Sequence, residues 1–362
     1  MTNRPFWLSN GQVLTPSGLL RGAVAIRAGR VIDIARYPGA GTHIDVKGCY
    51  ISPGFVDLHI WGDPARVSAA EAKTGTTSFL ATLGPEPPEL LASQCLQLKQ
   101  VDTPGARCLG IHLEGPFLNP LRAGALASRW LRPSTSRELR QLQRCAGDAW
   151  KLLTLAPELP RGAQTIRWCA RHGVTVSLGH SDASAAQAQQ AVRAGATSVT
   201  HVFNGMLPFH HRAPGLLGEA LANDRLTTMV ILDGVHLHPT AFQVLVRCKG
   251  ADRIVLTTDS IRHVPQHLGA TEREGAFRTQ EGRLAGSRLS MIEAVRNAVA
   301  FGKIALADAV RMATSTPARL IGEHKRIGTL ERGKDADVVV FDREFRVQLT
   351  MVKGRIVYRR SR

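Results

Sequence analysis

Eight short apolar runs recur along the middle of the chain: Phe55–Ile60, Thr76–Thr82, Arg107–Leu113, Lys151–Ala156, Val174–Leu178, Ser198–His201, Thr227–Leu232 and Arg253–Thr258. Runs that are apolar throughout, rather than alternating, suit parallel strands covered on both faces. Parallel neighbours need a crossover, and the helical patterns between the runs supply it. One such stretch, Ala183 to Ala194, has Ser181 and Asp182 before it as cap candidates and Gly195 after it as a stop. Eight successive strand–helix units predict an α/β fold, a closed (β/α)8 TIM barrel. An open doubly wound sheet is the alternative. The barrel is preferred because polar residues follow many different runs instead of clustering at one crevice.

The two ends of the chain read differently. Gln12-Val13-Leu14, Ala23-Val24-Ala25-Ile26 and Arg30-Val31-Ile32-Asp33-Ile34 are short strand-like runs punctuated by Gly29 and Pro38-Gly39. Asp337–Phe341, Phe345-Arg346-Val347 and Arg355–Tyr358 repeat the pattern at the other end. Neither set is large enough to form its own core. The expected division is therefore a barrel over 52–324 and one small β-sandwich domain made from both termini, 1–51 and 325–362.

Composition narrows the function. The six cysteines are scattered with no C-x-x-C pair, which argues against a disulfide framework or a cysteine-held zinc. No apolar run approaches membrane-spanning length, and the first 20 residues are broken by Pro5, Gly11 and Pro16, unlike a signal peptide. The expected location is cytoplasmic, with no membrane partner. The formal net charge of +17 raises the question of nucleic acid. The basic residues are dispersed, aromatics are only 5%, and no nucleic-acid motif appears. The expectation is a solvated basic surface and no nucleic-acid partner.

Three strand ends carry metal-ligand side chains. Glu114 follows the third run, His180 the fifth, and His201 closes the sixth. In a barrel all three meet at the C-terminal mouth, where barrel enzymes keep their active sites. Two imidazoles and one carboxylate hold a zinc ion with a position left open for water. The expected cofactor is one divalent metal ion per chain, with zinc as the ion. Asp259 follows the eighth run. Alone it reads equally well as a helix cap; beside a metal it reads as a general base that returns its proton to a leaving amine. Asp233-Gly234-Val235-His236 follows the seventh run, and Arg212 lies shortly after the sixth. Arginine can clamp a phosphate, although an exposed arginine is more often merely solvated.

Several ordered motifs then carry a family resemblance. Pro53-Gly54-Phe55-Val56-Asp57, His112-Leu113-Glu114-Gly115-Pro116-Phe117, Leu155-Ala156-Pro157-Glu158, Gly179-His180-Ser181, His201–Met206, Asp233–His236 and Thr258-Asp259 resemble those of the N-acetylglucosamine-6-phosphate deacetylases, in the metallo-dependent amidohydrolase superfamily. So do Met312-Ala313-Thr314, Pro317-Ala318-Arg319, Gly328-Thr329-Leu330 and Gly333–Asp337. The resemblance covers nearly the whole chain. It implies metal at Glu114, His180 and His201, and Asp259 as acid–base. It implies substrate contacts from Ala125, Asn204, Gly205, Arg212, His236, Leu284, Ala285 and Gly286. It also implies a homodimer in which the phosphate-binding arginine reaches the neighbour's site.

Two departures stand out. Leu126 occupies the place of a family histidine that polarises the acetyl carbonyl. Where some members carry His-x-His and a second metal, this chain has His59 followed by Ile60 and Trp61, so His59 is expected to be a remnant of a second metal site. The expected activity is hydrolysis of N-acetylglucosamine 6-phosphate to glucosamine 6-phosphate and acetate. The alternatives are a deacylase of another N-acyl amino sugar, or a weakly active or non-catalytic sugar-phosphate-binding homologue.

Overall fold

The computed structural model describes residues 5–99, 101–264, 269–273 and 275–361. Residues 1–4 and 362, which the expected terminal segments include, lie outside the described residues. The chain opens with strands β1 (Phe6–Thr15), β2 (Gly18–Arg27), β3 (Arg30–Ala35), β4 (Thr42–Asp45) and β5 (Tyr50–Pro53). Eight parallel strands follow: β6 (Phe55–Ile60), β7 (Thr76–Leu83), β8 (Arg107–Glu114), β9 (Trp150–Leu155), β10 (Thr175–Leu178), β11 (Ser198–Val199), β12 (Thr227–Ile231) and β13 (Ile254–Thr257). They pair in sequence order, β6 through β13. Every residue of β6 and β13 is buried, as expected for strands enclosed on both faces.

The barrel closes at its mouth. Ile60 bridges Ser260 in parallel, the Asp259 N–H donates to the His59 carbonyl at 2.8 Å, and the Trp61 N–H donates to the Ser260 carbonyl at 3.0 Å. The seam between first and last strand thus runs through residues already singled out for chemistry.

Each barrel strand lines up with an expected run, and the differences are local. The sixth strand stops at Val199 rather than His201, because His201 takes a positive φ of 25° that no ladder accommodates. The helix Ala185–Ala194 is capped by Ser184, in a reciprocal pair with Gln187, rather than by Ser181 or Asp182. Its stop at Gly195, with φ 118°, is as read. A short antiparallel hairpin, β14 (Thr271–Arg273) with β15 (Ala276–Arg278), follows the eighth strand.

The terminal strands β16 (Val338–Phe341), β17 (Val347–Val352) and β18 (Arg355–Arg359) join the N-terminal ones in a single sheet ordered β18-β17-β16-β5-β1-β2-β3, with β4 beside β1. β17 begins where Phe345-Arg346-Val347 was expected to be strand already; Phe345, with φ 59°, instead belongs to the turn before it. β5 lies between the two ends of the chain, with Ile51 facing Val13 on one side and Val340 on the other. Gly54 alone separates β5 from barrel strand β6. A Cβ there would fall 2.1 Å from the buried Thr77 side chain, so the step from sheet to barrel requires glycine.

Arg107, at the start of β8, ties barrel to sheet. Its guanidinium bonds Asp335, at 2.7 Å, and Asp337. Burial raises the Asp337 pKa, so that carboxylate depends on Arg107 for its charge. Replacing Arg107 with Met leaves a buried acid without its partner. The expected loss is about 3 kcal/mol of stability, read as a lower urea midpoint. An unchanged midpoint means the pair contributes nothing net.

Candidate active site and metal centre

The mouth of the barrel collects four side chains from four strand ends. Glu114 is the last residue of β8; His180, His201 and Asp259 each sit two residues beyond their strands. These three have positive φ values of 48°, 25° and 47°. The left-handed backbone is unfavourable for residues with a Cβ. Here it turns the chain out of the ladder and swings each side chain inward, and strain of this kind gathers at functional sites.

Glu114, His180 and His201 converge. Both Nε2 atoms approach Glu114 Oε1, His180 at 3.1 Å and His201 at 3.0 Å, and they lie 3.1 Å from each other. The His180 Nδ1 is 2.6 Å from the Arg122 carbonyl, which can only accept. Nδ1 therefore carries a proton, and a neutral His180 aims a lone pair at a carboxylate oxygen. A proton can relieve that conflict. Burial opposes it, but the hydrogen bond and charge of Glu114 prevail and raise the His180 pKa. A divalent cation relieves it better, since one ion satisfies all three donors, and the Nδ1–carbonyl bond is the usual support of a metal-ligating imidazole. All three residues are buried, with their ligand atoms within 4.8 Å of one another. The donor set fits a divalent ion of zinc's type.

A second group shares Glu114. His59 Nε2 is 3.2 Å from Glu114 Oε2 and 3.2 Å from Asp259 Oδ1. Burial works against a charge on His59, yet Asp259 and Glu114 raise its pKa to about 9. The Trp61 indole N–H donates to the same Asp259 Oδ1 at 2.9 Å. Glu114 itself is buried, but His59, His180 and His201 hold its pKa well below the usual carboxylate range.

Supporting residues explain several motifs. Glu158 accepts from Asn119 at 2.9 Å, from the Ser181 hydroxyl at 2.6 Å and from the Asp182 N–H at 2.7 Å, fixing the loop that carries His180. Asp57 accepts from the Thr257 hydroxyl at 2.8 Å and both N–H and hydroxyl of Thr258, fixing the approach to Asp259. Asp233 accepts from His236 Nδ1 at 2.6 Å, which leaves Nε2 of that ring for a ligand. A Cβ on Gly205 would lie 3.1 Å from His180 Nδ1.

An open cavity covers the cluster. Of the expected site residues, Glu114, His180, His201, Asp259, Ala125, Asn204, Gly205, His236, Leu284, Ala285 and Gly286 all line it. His59 is fully buried beneath it. Arg212 is exposed, with its guanidinium 2.8 Å from His211 Nε2, and does not line the cavity of its own chain. Leu126 does line it, and its side chain has no donor to offer a carbonyl; His210 and His211 do not line the cavity of their own chain. The reading from sequence missed Trp61 and Arg283 as lining residues. A tryptophan just beyond an apolar strand reads as core, and an arginine in a loop reads as solvated.

Comparison with known proteins identifies the family and agrees with the fold. The family model described as the amidohydrolase family matches residues 50–357. The N-acetylglucosamine-6-phosphate deacetylase of Bacillus subtilis (strain 168) is 36% identical over 332 residues, covering 84% of each chain. The Homo sapiens protein of the same name is 34% identical, covering 98% of this chain and 96% of its own. A solved structure of the Mycobacterium smegmatis deacetylase, a mutant in complex with N-acetyl-D-glucosamine-6-phosphate, superposes with a TM-score of 0.90 at 30% identity, over 98% of this chain and 99% of that one.

Proposed function

The chain belongs to the amidohydrolase family, and within it to the N-acetylglucosamine-6-phosphate deacetylases, and from that premise we propose that it hydrolyses N-acetylglucosamine 6-phosphate to glucosamine 6-phosphate and acetate. The observation that carries the reading is the convergence of Glu114, His180 and His201 with Asp259 beside them, under one cavity. Glu114, His180 and His201 are the residues that would hold the metal. A divalent cation bound there, zinc on this reading, supplies Lewis-acid polarisation of the acyl carbonyl and a lowered pKa for the attacking water.

The remaining chemistry belongs to the chain. Asp259 takes a proton from the attacking water and returns it to the sugar nitrogen as the C–N bond breaks. His59 and Trp61 hold the Asp259 carboxylate in place. Asn204, Gly205 and His236 offer polar groups to the sugar, and Ala125 with Leu284, Ala285 and Gly286 closes the cavity over the bound substrate as a whole. The expected boundary at 51/52 falls inside β5, whose Ser52 and Pro53 still pair with β16, so the barrel is taken to begin after Pro53, and the described residues before and after it form the accessory sheet. The six cysteines are free, which suits a reducing cytoplasm. No helix among the described residues is long and apolar enough to cross a membrane.

Arg212 enters this reading through a second copy of the chain. It lies outside its own cavity, so phosphate recognition falls to the arginine of a dimer partner. The test is an acetate-release assay on N-acetylglucosamine with and without the 6-phosphate. The parent prefers the phosphorylated sugar, and Arg212→Ala raises KM for that sugar about 10- to 100-fold, the scale of one charge-assisted contact. Mixing Arg212→Ala with Asp259→Asn chains restores activity, since one site of a mixed dimer has both groups. Equal effects on both sugars, or no restoration, would remove Arg212 from this role. Absence of acetate release from either sugar defeats the functional reading itself.

A further inference from the structure

Part of the cavity wall is built from apolar side chains. Trp61, Leu126 and Ala285 line it, backed by Leu118, Ile261, Ala270 and Phe277 in one apolar cluster. The polar lining comes from other places in the barrel: Asn204 and Gly205 follow β11, His236 follows β12, and Arg283 precedes Ala285 in its loop. Trp61 is only 4% exposed. Its ring edge rests over Gly84, where an added Cβ would lie 2.9 Å from the indole and 3.8 Å from Leu126 Cδ2. The glycine makes room for both side chains, and the ring has no space to retreat. The same ring donates its N–H to Asp259, so it stands at the reacting centre and not merely in the wall.

A bound amide must lie across Asp259, which has to meet both the attacking water and the departing nitrogen. The sugar on one side of that bond brings hydroxyls and a phosphate, which lose stability when buried without partners. The acyl group on the other side brings only carbon beyond its carbonyl. The polar lining therefore takes the sugar and the apolar wall takes the acyl group. Resting on the deacetylase reading above, we propose that Trp61 and Leu126 form the acyl wall. Together they set which N-acyl groups the enzyme removes, while the Trp61 indole positions Asp259.

The two roles separate experimentally. The substrates are N-acetyl-, N-propionyl- and N-butyryl-glucosamine 6-phosphate, and the readout is kcat/KM for release of the free amine. Leu126→Ala and Trp61→Ala enlarge the wall, so each raises the butyryl-to-acetyl ratio of kcat/KM about tenfold or more, the discrimination that one or two methylenes give in a fitted pocket. A ratio on one preparation does not depend on how much of it is folded, and Leu126→Ala carries the test if Trp61→Ala does not express. Trp61→Phe keeps a smaller aromatic ring and loses the N–H: kcat falls, KM holds, and the acyl ratio rises less than in Trp61→Ala. Ratios within twofold of the parent in the alanine variants overturn the acyl wall. An equal kcat in Trp61→Phe overturns the positioning of Asp259. A parent that releases no amine from any of the three overturns the deacylase reading, and the wall with it.

Discussion

Replacing Asp259 with asparagine is expected to lower kcat/KM for acetate release at least 100-fold while leaving fold and metal content intact. The loss is that of a positioned acid–base group. Asparagine isolates the chemistry because it disturbs little else. Position 259 has a positive φ of 47°, a region in which Asp and Asn are the side chains best tolerated after glycine. The backbone N–H that closes the barrel on the His59 carbonyl is unchanged. The amide oxygen can still accept from Trp61. What disappears is the ability to take a proton from water and give it to nitrogen. Steady-state kinetics with circular dichroism and elemental analysis on the same sample check this. Activity within threefold of the parent would exclude Asp259 from the mechanism.

Loss of a metal ligand should be as severe, with a different signature. His180→Ala and His201→Ala are each expected to weaken divalent-metal binding by more than 100-fold, beyond the roughly 10- to 100-fold that loss of an outer partner costs. Glu158→Gln, which loosens Ser181 and Asp182 without touching the metal, belongs in the milder class. His59→Ala decides between the two ligand groups that share Glu114. If the ion sits with His180 and His201, His59→Ala keeps one metal per chain. Titration with zinc against a competing chelator measures all four. Full stoichiometric binding by both His180→Ala and His201→Ala places the ion elsewhere.

How much of this was legible in the sequence depended on the range of the interaction. Barrel strands are buried on both faces, so each announced itself as an unbroken apolar run. Ligands just past such runs then had to share a mouth, which is why Glu114, His180, His201 and Asp259 could be named together. Strand ends were less legible where chemistry overrode regularity: the run at Ser198–His201 reads as strand to its end, but His201 must leave the ladder to face the site. Ser181 and Asp182 have the composition of caps, but Glu158, distant in sequence, claims them. The role of Trp61 was not visible at all. Its partner Asp259 is 198 positions away, and no local pattern separates an indole that braces a carboxylate from one that fills a core.

The sheet shared by the two termini bears on how the molecule is made. β5 is a central strand, and one of its two neighbours, β16, leaves the ribosome only after every barrel strand has done so. Until then β5 presents an open edge, the form of strand most ready to pair with another chain. The barrel strands lie between and each pairs with the next in order, so the enclosed core can assemble as it emerges while the sheet waits for its other half. A ribosome stalled after the eighth barrel strand would therefore hold a chain with most of its catalytic residues in sequence and an unsatisfied edge at its N-terminus. For this architecture the vulnerable interval opens when β5 emerges and lasts through synthesis of the whole barrel, until β16 arrives to cover the strand.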